Sequence, residues 1–122
     1  MSKSKRSITQ FTYDIEEFID RLQELVNKKS YEEFANDELS IAFVERNLEK
    51  IGEAIGQIQK LDENILYLAY DNKGFWEKIK GMRNRLIHEY FGVSIEMIYY
   101  VSRDELDELK EYIIKVREFA KE

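Results

Sequence analysis

DELSIAFVERNLEKIGEAIGQIQKL, residues 37–61 of this 122-residue chain, decides the architecture. Asp37 has the short acceptor side chain that caps a helix start. Leu39, Phe43, Val44, Leu48, Ile51, Ala54, Ile55 and Ile58 then recur at spacings of three and four, the period of one helical face. A helix of this length with a single apolar side is stable in water only if other helices cover that side. Gly52, Ala54 and Gly56 are small enough to let a neighbour approach closely. Upstream, Ser7 or Thr9 starts a helix to about Lys28 with Ile15, Phe18, Ile19, Leu22, Leu25 and Val26 inward. Ser30-Tyr31-Glu32-Glu33 has capping-box spacing and opens a short turn or helix through Phe34. Downstream, Asp62 caps a short helix through Ile65, Leu66 and Leu68, and Asp71-Asn72-Lys73-Gly74 reads as a turn. A further helix runs from about Phe75 to Tyr90, with Phe75, Ile79, Met82, Leu86 and Ile87 inward and Gly92 placed to end it. Ser94 begins a short aromatic segment ending at Tyr99-Tyr100. Ser102 or Asp104 then starts a last helix striped by Leu106, Leu109, Tyr112, Ile113, Val116 and Phe119. These elements predict an all-α fold, an antiparallel bundle of four to five helices, with residues 1–122 as one domain.

Composition narrows the function classes. The absence of proline and the abundance of Glu, Lys, Leu and Ile fit a helical chain. A content of 43% hydrophobic and 36% charged residues is too apolar for disorder and too mixed for a membrane span. Residues Met1–Arg6 carry basic side chains with no apolar run after them, so the expected location is cytoplasmic and no membrane partner is expected. Zero cysteines exclude disulfides and thiolate nucleophiles, and the lone histidine excludes a His-rich metal site within one subunit. No metal and no cofactor are expected.

Charge is unevenly spread. The chain carries a net −6, yet Lys73–His88 holds five Lys/Arg against one Glu, leaving −10 on the rest. That balance argues against a general nucleic-acid coat and for a small local contact. The basic stretch ends in Arg83-Asn84-Arg85-Leu86-Ile87-His88-Glu89-Tyr90. Histidine moves protons near neutral pH and arginine grips phosphate with a planar fork of donors. On a helix Asn84 and His88 share a face, and Arg83 lies about 140° around from His88, within reach of a long side chain. The residues alone also permit a plainer reading, in which His88 is a C-terminal helix cap and Arg85 with Glu89 an ordinary surface pair. Glu45, Glu49 and Glu53 follow one another at intervals of four, a stripe that could hold a divalent metal but lacks histidine partners. It reads as solvated or salt-bridged. Tyr67, Tyr70, Phe75 and Trp76 could stack bases, but at helical spacing they read as core.

Three segments, residues 41–54, residues 76–85 and the R-x4-H-x-Y string Arg83–Tyr90, give the chain its resemblance to the HepT-like HEPN domains. These are small all-helical prokaryotic proteins, often ribonuclease toxins. The resemblance spans most of the chain. It implies a homodimer in which two motifs meet in a cleft and cleave RNA without metal. His88 would transfer the proton, Arg83 would bind the scissile phosphate, and Asn84 would orient His88 or the substrate. Attack by the ribose 2′-hydroxyl would leave a 2′,3′-cyclic phosphate. It further implies a type VII-like toxin–antitoxin pair, in which a cognate MntA-type nucleotidyltransferase silences the toxin by transferring AMP to Tyr90. Tyr90 equally suits a plain packing role with Phe91. Two other classes fit the residues: a non-catalytic nucleotide-binding or nucleotidyltransferase-partner module, and a structural dimer without ligand.

Overall fold

Four long helices form in the predicted order, and three short ones join them. The computed structural model describes the backbone of residues 6–88 and 94–122, and the side chains of residues 6–82 and 94–122. The elements are α1 (Ile8–Asn27), α2 (Tyr31–Ala35), α3 (Glu38–Leu61), α4 (Ile65–Ala69), α5 (Lys73–His88), α6 (Ile95–Tyr100) and α7 (Leu106–Phe119). A π-helical turn, Val101–Glu105, joins α6 to α7 without a break. No strand occurs among the described residues.

Capping chemistry sets the boundaries. Ser7 closes a full capping box on α1, its Oγ accepting from the Gln10 N–H while the Gln10 side chain accepts from the Ser7 N–H at 2.8 Å. Ser30 and Glu33 repeat that box on α2. The Asp37 carboxylate accepts from the Ser40 N–H at 3.3 Å and from its hydroxyl at 2.7 Å. Each arrangement satisfies donors that a helix start leaves unpaired.

The α3 stripe of Val44, Leu48, Ile51, Ile55 and Ile58 is the centre of the core, joined by Ile15, Ile19, Leu22 and Val26 of α1 and by Leu109, Ile113 and Val116 of α7. Burial of each such side chain contributes about 1.5–3 kcal/mol. Polar clamps fix α7 antiparallel to α1. Lys110 pairs with Asp20 at 2.7 Å, Arg117 Nε donates to Thr12 Oγ1 at 3.0 Å, and the Glu122 carboxylate accepts from the N–H groups of Ile8 and Thr9.

The structure departs from the sequence reading at element edges. Leu39, expected inward, is 84% exposed, because five residues before Val44 is about 140° around the helix. Phe43, one turn from Leu39, is also largely outside the core. Leu68 and Phe119 are exposed, since α4 turns Ile65, Leu66 and Ala69 inward and the α7 stripe ends at Val116. Asp62 does not cap α4; its carboxylate accepts from the Asn64 N–H two residues on. Neither Ser102 nor Asp104 starts a helix, because α6 runs on through the π turn, where Ser102 is fully buried. Helix α5 begins at Lys73, two residues before the expected Phe75. A Cβ added at Gly56 would meet Lys80 Cγ at 3.9 Å, so ordinary contact, not unusual closeness, prevails there. Gly92 and the predicted end of α5 at Tyr90 lie outside the described residues.

Candidate active site

Helix α5 carries the basic segment, and its first turns are firmly seated. The Asn72 carboxamide oxygen accepts from the Phe75 N–H at 3.0 Å, a short side-chain cap at the helix start. Trp76, only 2% exposed, donates its indole N–H to the Tyr70 carbonyl at 2.8 Å. Phe75 and Trp76 meet Tyr112 of α7 edge-on, and Tyr70 stacks on Tyr112 with centroids 4.1 Å apart. The aromatic group is therefore packing, as its helical spacing indicates. Trp76, Ile79 and Met82, all buried, follow at intervals of three and bind the helix to the bundle.

Beyond Met82 the backbone stays helical through His88. The R-x4-H interval thus lies on one continuous helix end, which puts Arg83 and His88 about 7.5 Å apart along the axis and Asn84 on the same face as His88. The side chains of Arg83, Asn84 and His88 lie outside the described residues, and so does Tyr90 entirely. Helix α5 packs against α3, where Lys80 donates to Gln59 and lies beside Gly56.

On that side of α3 the acidic stripe divides. Glu53 is exposed. Glu49 pairs with Arg46 at 3.3 Å. Glu45 is half-buried and has no hydrogen bond or ion pair among the described residues. Burial first, and the like charge of Glu49 second, push its carboxyl above the ordinary value. The sequence singled out these three glutamates by spacing, but the isolation of Glu45 arises from packing. No group of three His, Cys, Asp or Glu among the described residues is arranged to hold a metal ion.

A second concave surface lies between α1 and α3, lined by Arg21, Leu25, Lys28, Lys29 and Phe43. Its cations are already matched, Arg21 with Glu17, Lys28 with Glu24 and Lys29 with Asp37. Phe43 and Glu45, two residues apart, also point to opposite sides of α3. The cations of this groove are therefore already engaged by carboxylates, and no described helix is long and apolar enough to cross a membrane.

A bundle that is all-helical among the described residues, with the interval from Arg83 to His88 on one helix, defines a class, and comparison gives it a family. A profile described as Ribonuclease HepT-like matches residues 15–116, and the chain belongs to that family. "Putative RNase MJ1216" of Methanocaldococcus jannaschii is 34% identical over 113 residues, covering 92% of this chain and 88% of the relative. "Putative RNase TTE0752" of Caldanaerobacter subterraneus is 38% identical over 78% of this chain and 80% of its own length. "Probable ribonuclease HepT" of Thermococcus cleftensis is 32% identical over 93% and 98%. No solved structure matches the chain significantly. Family membership supports ribonuclease activity.

Proposed function

We propose that this protein is a metal-independent endoribonuclease, the toxin of a type VII-like toxin–antitoxin pair. The observation that carries the reading is the R-x4-H-x-Y string Arg83–Tyr90, in a chain of the HepT-like ribonuclease family, with the helix continuous from Arg83 to His88. RNA cleavage by internal attack forms the 2′-oxygen–phosphorus bond and breaks the phosphorus–5′-oxygen bond. The 2′-hydroxyl gives up a proton and the leaving 5′-oxygen gains one. His88 carries that proton traffic. One histidine per chain suffices in a homodimer, because the partner copy brings a second as base or acid. Arg83 binds the scissile phosphate and stabilises the charge that grows on its non-bridging oxygens. Asn84 orients His88 or the substrate.

Regulation follows from electrostatics. A cognate MntA-type nucleotidyltransferase would transfer AMP from ATP to the Tyr90 hydroxyl, releasing pyrophosphate and adding a phosphodiester seven residues from Arg83. That negative group competes for the arginine and repels RNA. The reading also places the protein in the cytoplasm with RNA as substrate.

The test uses protein purified without a partner, its mass checked for absence of AMP, incubated with cellular RNA in EDTA beside His88→Ala and Arg83→Ala. Cleavage by the wild type alone, with 2′,3′-cyclic phosphate ends, is the expected result. Folded, unmodified dimer that leaves RNA intact would turn the assignment to a non-catalytic nucleotide-binding module.

A further inference from the structure

Leu39 is the most exposed large apolar side chain among the described residues, 84% open to solvent in the first turn of α3. Phe43, one turn on and about 40° around the helix, is 38% exposed and lines a hollow of about 360 Å³ between α1 and α3. Leu25 and the aliphatic stems of Arg21, Lys28 and Lys29 supply further apolar lining. A lone surface leucine is ordinary. A protruding leucine about 6 Å along a helix from an apolar hollow on the same side is different, because a two-fold axis between them seats each Leu39 in the hollow of the other copy.

Charge fits the same operation. Residues 30–45 carry five carboxylates and no cation, whereas the hollow is lined by three cations and Glu24. The two-fold axis lays the acidic side of one copy over the basic side of the other. Glu32 and Glu38 are exposed and have no ion pair among the described residues. Arg21 and Lys28 are held by Glu17 and Glu24, one turn away on α1, in pairs more than half exposed. Such pairs contribute little and exchange readily. We propose that Leu39 and the hollow beside Phe43 form the face on which a second copy of this chain docks. A homodimeric ribonuclease needs such a contact, and its assignment to this face rests on the pairing of copies, not on the RNA chemistry.

Leu39 takes no part in the core of its own chain, so Leu39→Asp keeps the fold, which circular dichroism verifies, and Leu39→Ala is neutral to the folding of an isolated chain. Each substitution counts twice in a two-fold contact. In sedimentation equilibrium the wild type is expected to be a dimer, and Leu39→Asp should raise the dimer Kd about a hundredfold or more. Leu68→Asp, at an exposed position on α4, supplies the control and should leave the dimer in place. Charge reversal tests the orientation. Arg21→Glu with Lys28→Glu in one protein, and Glu32→Lys with Glu38→Lys in another, should each weaken self-association at least about tenfold. An equimolar mixture of the two should pair again, because each reversed patch then meets one of opposite sign. A folded Leu39→Asp protein as dimeric as the wild type, or a mixture that fails to pair, would overturn the proposal while leaving a homodimer through another face. A wild type that stays monomeric would overturn the interface and the homodimeric ribonuclease together, and growth past the dimer with concentration would overturn the two-fold arrangement.

Discussion

Replacing Glu122 by alanine tests whether the end of the chain secures its beginning. The first helix of the bundle starts with four donors that helix geometry leaves unpaired. Ser7 takes one of them, from Gln10, and the Glu122 carboxylate takes two more, from Ile8 at 3.0 Å and Thr9 at 2.7 Å. An ionised acceptor at a helix start also meets the positive end of the helix dipole. Loss of a helix cap costs about 1 kcal/mol, and Glu122 is exposed, so solvent screening holds the effect near that figure and not above it. In a domain of this size that lowers Tm by about 4 °C. The same contacts, the Thr9 N–H foremost, hold the Glu122 carboxyl below its ordinary value of 4.5. A carboxyl depressed in the folded state contributes stability above the unfolded pKa, and that contribution disappears as pH falls through the folded pKa. Differential scanning calorimetry at pH 7 should therefore show Glu122→Ala melting about 4 °C below wild type, the gap narrowing as pH drops below about 4.5. Glu118→Ala, an exposed glutamate on α7, is the control. Equal melting of Glu122→Ala and wild type at neutral pH, or a gap that persists unchanged in acid, refutes the argument.

Other changes follow from the same contacts. Ile55→Ala removes a fully buried side chain at the middle of α3 and should cost about 2–5 kcal/mol in urea unfolding, more than Leu39→Ala, which should be near neutral. Tyr99→Phe deletes the hydroxyl that donates to the Lys29 carbonyl at 2.6 Å, leaving that carbonyl short of a donor and costing about 1–2 kcal/mol by the same measurement. Arg83→Lys keeps the charge but loses the planar fork, so kcat/KM for RNA should fall at least about tenfold with little change in Tm.

The parts of the fold that were legible in the sequence are those where a local rule and a tertiary demand agree. Ser7, Ser30 and Asp37 cap the helices they precede because acceptor side chains at those positions have no better use. The Val44–Ile58 stripe is buried because its period matches the helix. Leu39 reads as core from hydrophobicity alone, but a rotation of about 140° from Val44 takes it to solvent, and only the partner helices fix which line of α3 is central. Ser102 looks like a cap, yet the preceding helix reaches it first and continues into α7 through a π turn. Arg83, Asn84 and His88 stand as a candidate site on residue type, spacing and the family resemblance, and their side chains lie outside the described residues. The environment of Glu45 was not legible, since three glutamates at equal intervals look alike until neighbouring helices desolvate one of them.

The charge distribution and the anchoring of α5 address the same requirement. With a net charge of −10 outside residues 73–88, the proposed RNA contact is expected to be short and positioned, not a track along the strand. Helix α5 fixes its first half to the bundle through Asn72, Trp76, Ile79 and Met82, upstream of the basic end. A side chain carried on a helix anchored three turns upstream moves less than one carried on a loop, and phosphoryl transfer tolerates little misplacement. Disturbing the Trp76 anchor should therefore reduce cleavage through geometry, with Arg83 and His88 themselves untouched.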